Sequence, residues 1–191
     1  DSPQAFFLRA LCESVQKQFN SSLNSYGKAV ERAEADAAER GLTQFEDYYT
    51  AFYYMNRGVL RADMIEFIAS IESNVQVLSM DDTGNTRARV KDQVSRTYDY
   101  DDALQDMQKA SEVLPDLPYI YFNLGNLYCL SREHIKSIEN YTRAIELYSY
   151  MGDAYYNRGL VLIYLKDKEK GCIDLSRAGE LGVQEAYSVI K

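Results

Sequence analysis

The sequence has no tryptophan, one histidine, three cysteines and three prolines among its 191 residues. Each scarcity limits the chemistry. His134 stands between Glu133 and Lys136 with no cysteine or aspartate at ligand spacing, so it reads as a solvated surface residue rather than a metal ligand. Cys12, Cys129 and Cys172 are odd in number and far apart, which fits neither a disulfide framework nor a metal site and favours a reducing, cytoplasmic setting. Cys129 and Cys172 fall beside small and apolar residues, as buried structural thiols do. Positive charge is also short: 21 Lys and Arg against 29 Asp and Glu leave a net charge of −8. Such a chain offers no footprint for nucleic-acid phosphates and is repelled by an anionic membrane surface. No apolar run approaches membrane-spanning length, so no membrane insertion is expected. No glycine-rich phosphate loop occurs, because Gly125, Gly159 and Gly171 are isolated within helical patterns. With no convergent titratable cluster, the expectation is a chain that is not an enzyme and holds no cofactor and no metal.

What is present is a repeat in a chain whose 46% hydrophobic content excludes disorder. Tyr121-Phe122-Asn123-Leu124-Gly125 returns as Tyr155-Tyr156-Asn157-Arg158-Gly159, and Tyr128, Ser137, Tyr141 and Ala144 keep step with Leu162, Gly171, Leu175 and Ala178. The period is 159 − 125 = 34 residues, that of one helix hairpin following another. Small residues fall where two helices must approach closely, and large ones fill the spaces between. The stretch resembles the tetratricopeptide-repeat (TPR) family. That resemblance implies an all-α, right-handed α-solenoid of about four helix hairpins in a single domain, working as a scaffold for protein binding, and a bacterial source goes with it as an expectation.

The remainder of the chain fits the same scheme less cleanly. A first copy over 3–36 aligns Phe6 with Tyr121, Ala10 with the glycines, and Ser22, Tyr26 and Ala29 with Ser137, Tyr141 and Ala144. Helices are expected at about 4–18 and 21–40, with an N-cap in Asn20-Ser21-Ser22 and a stop at Gly41. A second copy, 51–117, begins with a helix over about 44–61 capped by Thr43 and carrying Tyr54-Met55-Asn56-Arg57-Gly58, but its second helix is displaced. From Gly58 to Ala103 is 45 residues, whereas Gly125 to Ser137 is 12, so 45 − 12 = 33 residues are inserted at about 62–97. Met64, Phe67, Ile68 and Ile71 suggest a helix over about 62–73. Val75 to Met80, the turn chemistry of Asp81 to Asn85 and the alternation of Ala88, Val90 and Val94 suggest a β-hairpin whose strands carry opposite charge; a loop is the alternative. Leu114-Pro115-Asp116-Leu117-Pro118 separates hairpins. The clean copies then follow at 118–151 and 152–185, and 183–191 either caps the stack or begins a truncated copy. The chain opens Asp-Ser-Pro with no leader, as a mature form or an excised fragment would.

In TPR proteins the first helix of each hairpin lines a concave groove. Carried over position by position, the resemblance implies a partner-binding groove of Phe7 and Leu11; Met55, Asn56 and Val59; Phe122, Asn123 and Asn126; and Tyr156, Asn157, Leu160 and Ile163. Asn56, Asn123 and Asn157 occupy one repeat position, similar to the asparagine ladder that grips an extended peptide backbone, since an amide donates and accepts at once. The alternative is that these amides bond within the repeat and the aromatics pack between hairpins. Met55, Phe122 and Tyr156 stand where a carboxylate-clamping lysine would be, which argues against a chaperone C-terminus as partner. The expected partner is an unidentified protein or peptide, apolar or basic in character. A homo-oligomer, or a repeat segment of a larger regulatory or enzymatic protein, is the rival reading.

Overall fold

The computed structural model describes residues 2–41, 48–74, 77–80, 86–89 and 99–189. Pro3–Val15 (α1) and Phe19–Glu39 (α2) form a first hairpin; Tyr48–Asn74 (α3) and Asp101–Val113 (α4) a second; Pro118–Leu130 (α5) and His134–Leu147 (α6) a third; Gly152–Tyr164 (α7) and Lys168–Glu180 (α8) a fourth. The short Ala186–Val189 (α9) packs on α8. The second helix of one hairpin lies against the first helix of the next, as α2 does on α3, α4 on α5 and α6 on α7. The first helices of successive hairpins, α3 with α5 and α5 with α7, also touch, and the second helices approach less closely. The stack therefore bends with its first helices on the inside.

A single turn design closes three of the hairpins. Lys17, Arg132 and Lys166 take the left-handed conformation at φ of 57°, 61° and 73°. The residue after each donates its amide back to Glu13, Tyr128 or Leu162 at 2.9, 2.8 and 3.0 Å, five residues along a bond that ends a helix by satisfying its last carbonyls. The spacing of these turns equals the spacing of the sequence marks, since 166 − 132 = 34.

Close packing accounts for the small residues. A Cβ on Gly159 would meet the Gly171 carbonyl at 3.0 Å, and one on Gly171 would meet the Gly159 carbonyl at 2.9 Å, so the backbones of α7 and α8 touch at that crossing. On Gly125 a Cβ would strike the Tyr141 ring at 2.5 Å. Ser22 and Ser137, at the matching position of the other hairpins, are fully buried, and Ser22 donates its hydroxyl to the Ala10 carbonyl at 2.8 Å. The largest apolar cluster joins Ala29 and Val30 of α2 to Tyr53 and Tyr54 of α3, Met107 and Ala110 of α4, and Ile120 and Leu124 of α5, so it spans three hairpins rather than one.

Three local expectations are corrected. The N-cap of α2 is Gln18, and Asn20, Ser21 and Ser22 lie inside the first turn, where Ser21 and Ser22 bond α1 instead of the helix end. No separate helix begins at 62: α3 runs unbroken to Asn74, passing the place where the other hairpins turn. Its extension is braced from two sides. Phe67 meets Phe19 with ring centroids 5.3 Å apart, and Tyr100 donates its hydroxyl to Glu66. His134 is half-buried, not solvated, and meets the Tyr164 ring edge-on at 4.8 Å. In the insertion Val77–Met80 (β1) and Thr86–Arg89 (β2) pair antiparallel, with Val77 opposite Arg89. The expected turn at 81–85, the positions of Val90 and Val94, and the Thr43 cap lie outside the described residues, so a β-hairpin there stays an expectation.

Candidate functional site

The inner helices carry all twelve residues singled out in the sequence, and every one of them is half-buried. None is sealed in the core. Their apolar bodies nonetheless contribute to packing. Phe7 lies 4.9 Å from the Tyr53 ring and 5.9 Å from Tyr26, which ties the first hairpin to the second. Leu11 rests on the Ala10, Tyr26 and Leu60 cluster, and Met55 and Val59 rest on the large cluster of the second hairpin. Phe122 lies 6.1 Å from Tyr141 and covers Ala144, Ile145, Met151 and Ala154. Tyr156, Leu160 and Ile163 cover Leu175, Ala178 and Ala186.

The asparagines at one repeat position behave in three ways. Asn56 donates to the Phe52 carbonyl of its own helix at 2.8 Å. Asn157 reaches to the neighbouring hairpin, donating Nδ2 to Asn126 Oδ1 at 2.9 Å. Asn123 makes no side-chain hydrogen bond among the described residues. Asn126 is the node, because the Tyr141 hydroxyl of α6 donates to the same oxygen at 2.7 Å. Tyr141 is buried, and burial pushes its phenol well above the ordinary range, so it stays protonated and can donate.

Behind this face run ion pairs that sequence reasoning missed. Arg57 grips Asp106 with two parallel bonds, Nε to Oδ2 at 2.9 Å and Nη2 to Oδ1 at 2.7 Å, and Arg61 adds a third at 2.7 Å. Arg158 grips Asp174 in the same way at 2.7 and 2.8 Å and adds the Thr142 hydroxyl at 2.9 Å. Both aspartates are nearly sealed from water, with 2% and 7% of the side chain exposed. In the first hairpin Glu13 fills the corresponding place on the opposite helix, accepting from Ser21, Ser25 and Arg9. The signal was available: Arg57 and Arg158 each precede the marking glycine, and each aspartate stands three residues after the next small mark, since 106 − 103 = 3 and 174 − 171 = 3. Each arginine also lies over the ring of a marking tyrosine, Arg57 at 5.3 Å from Tyr54 and Arg158 at 5.6 Å from Tyr155.

These are structural contacts: Asp106 and Asp174 are held by bidentate arginines, and Glu13 by two serines and Arg9. Among the described residues no three His, Cys, Asp or Glu side chains gather as a metal site would require, and no helix is long and apolar enough to cross a membrane. Burial raises the Cys129 thiol, which makes it less reactive.

No protein-family model matches the chain. Its fold is similar to the crystal structure of MamA, with a TM-score of 0.63 at 16% identity, covering 95% of this chain and 80% of that one. MamA from Desulfovibrio magneticus RS-1 compares at a TM-score of 0.62 and 10% identity over 94% of this chain and 75% of that one. At such identities the likeness is one of fold alone. A UDP-N-acetylglucosamine--peptide N-acetylglucosaminyltransferase of Giardia intestinalis is 32% identical over 79 residues, which is 41% of this chain and 5% of that protein. The chain thus spans a small part of that relative's length. These likenesses do not assign a source organism.

Proposed function

We propose that this chain, which has the tetratricopeptide-repeat α-solenoid fold, is a non-catalytic scaffold that holds an extended segment of a partner protein along its inner face. The observation that carries the reading is the state of the inner amides. Asn123, the Oδ1 of Asn157 and the Nδ2 of Asn126 bond to nothing else among the described residues, although they sit half-buried beside Phe122 and Tyr156. Polar ends in that position gain most from a ligand that supplies both N–H and C=O groups, and an extended peptide backbone does so at every residue. The apolar neighbours then add burial.

The test is capture of a partner by the wild-type chain and by the double variant Asn123→Ala, Asn157→Ala. The expected result is loss of the captured partner with an unchanged helical circular dichroism spectrum. Retention of the partner by the double variant overturns the inner face as the binding site. A second reading, association between copies, is favoured by exposed apolar side chains at the two ends of the stack: Leu8 and Val15 on α1, Ile173 on α8 and Tyr187 on α9. Sedimentation over a concentration series decides it, since a chain that stays monomeric when concentrated does not assemble this way.

A further inference from the structure

The connections between the later hairpins expose rings and carboxylates in exchanged order. Between α4 and α5 the chain exposes Asp116 and, three residues on, Tyr119; between α6 and α7 it exposes Tyr150 and, three residues on, Asp153. The repeat positions are the same, since 150 − 116 = 34 and 153 − 119 = 34. Both connections are anchored. Met151 is buried against Ala144, Ile145 and Ala154, while Tyr148 and Tyr150 beside it stay 44% and 65% exposed with ring centroids 6.2 Å apart. The Tyr121 hydroxyl donates to the Pro115 carbonyl at 2.8 Å and ties the other connection to α5.

Arg143 of α6 shows how a cation is taken up between the two connections. Its guanidinium lies 5.7 Å from the centre of the Tyr121 ring and reaches Asp116 at 3.7 Å and Glu146 at 3.6 Å. These ion pairs are long and exposed, so they are weak and readily exchanged. Over residues 114–119 and 143–153, Asp116, Glu146 and Asp153 stand against Arg143 alone, a net charge of 1 − 3 = −2. Among the described residues no cation pairs with Asp153. A surface that sets flat rings beside carboxylates in excess suits a planar cation, because a guanidinium stacks through its face and grips a carboxylate through its edge. A lysine ammonium lacks that plane.

We propose that the edge formed by these two connections docks an arginine-rich segment of a partner protein, with Tyr119, Tyr148 and Tyr150 stacking its guanidinium groups and Asp116, Glu146 and Asp153 pairing with them. The edge adds a second contact to the scaffold reading and uses none of the inner amides.

The probes are terminally blocked ten-residue peptides in which Arg, Lys or Glu alternates with Ser, titrated into the intact chain at low salt. The arginine peptide is expected to bind at least about threefold more tightly than the lysine peptide, and the glutamate peptide not at all. High salt should weaken the arginine peptide at least about tenfold, because the charges it meets are exposed. Tyr150→Ala should reduce its affinity about two- to fivefold and leave the lysine peptide within about twofold. The double variant Asp116→Asn, Asp153→Asn should weaken both basic peptides, whereas Arg143→Ala, which removes the resident cation, should tighten both about two- to fivefold. Circular dichroism and melting curves confirm that these exposed substitutions leave the fold intact. Equal affinity for the arginine and lysine peptides, unchanged in Tyr148→Ala and Tyr150→Ala, reduces the effect to general attraction by an acidic chain and overturns the proposal. Binding that survives the edge variants but is lost in the double variant Asn123→Ala, Asn157→Ala puts the peptide on the inner face, which overturns the edge and leaves the scaffold reading standing. Absence of binding by the arginine peptide also overturns the edge, and capture of a partner through the inner face is measured independently of it.

Discussion

In the fourth hairpin Arg158 reaches Asp174 across 16 residues of chain, while in the second hairpin Arg57 reaches Asp106 across 49. The clasp is the same in both, down to the pairing of Nε with one carboxylate oxygen and Nη2 with the other. Loop-closure entropy grows with the logarithm of length, so the longer span costs only about 1 kcal/mol more. Breaking a buried bidentate pair costs about 3–5 kcal/mol. The same clasp forms across both connections, so the hairpin is set by its packed crossing and not by its connection. The third hairpin sharpens the point, since Leu124 and Asn140 stand where the second and fourth have arginine and aspartate. It closes on Gly125 and the Tyr141 ring instead.

The comparison is broken most forcefully at the aspartates. Asp106→Ala strands Arg57 and leaves Arg61 only its contacts to Asp102, and should destabilise the chain by about 3–5 kcal/mol, whereas Asp174→Ala, which strands one arginine, falls at the lower end of that range. Urea denaturation followed by circular dichroism measures both, and a smaller loss for Asp106 than for Asp174 would contradict the ordering. Replacing both partners behaves differently. The double variant Arg158→Leu, Asp174→Asn copies the third hairpin and should lie within about 1–2 kcal/mol of wild type, because removal of both charges leaves no ion unpaired. Gly125→Ala, by driving a Cβ into the Tyr141 ring, should cost about 1–3 kcal/mol in thermal or urea unfolding.

The first hairpin carries a dependence on acidity. Hydrogen bonds from Ser25, then Ser21, with help from Arg9, hold the Glu13 carboxyl below its ordinary value of 4.5. A carboxyl lowered in the folded chain contributes stability above its unfolded value, and that contribution is lost as pH falls through the folded value. Hydrogen exchange in α1 and α2 should therefore accelerate on acidification below about pH 4.5, and Glu13→Gln should remove most of that acid dependence. The smallest effect has the opposite sign. A Cβ at Gly27 meets nothing within 4 Å in the interior of α2, so Gly27→Ala should raise stability by about 0.5–1 kcal/mol.

Much of this architecture was legible because a solenoid places neighbours in sequence beside each other in space. Gly125 and Tyr141 mark their own crossing, and a 34-residue step repeats it at Gly159 and Leu175. The extension of α3 was harder to read. Its apolar residues after Arg61 showed helical spacing, but nothing local revealed that the helix passes the usual turn without a break, because the contact that supports it, Phe67 on Phe19, joins residues of different hairpins. The inner face was legible as a set of positions and not as a set of bonds. Asn56, Asn123 and Asn157 look equivalent in the sequence, yet one bonds back within its own helix, one is unbonded among the described residues and one crosses to the next hairpin.

By itself the sequence determined where helices pair, since a small residue opposite a large one at a constant interval permits only one close crossing per repeat. Tertiary structure alone decided which charges cancel and which way the amides point. Those outcomes rest on distances of a few ångströms between side chains from different helices, as between Tyr141, Asn126 and Asn157, and no spacing along the chain encodes them.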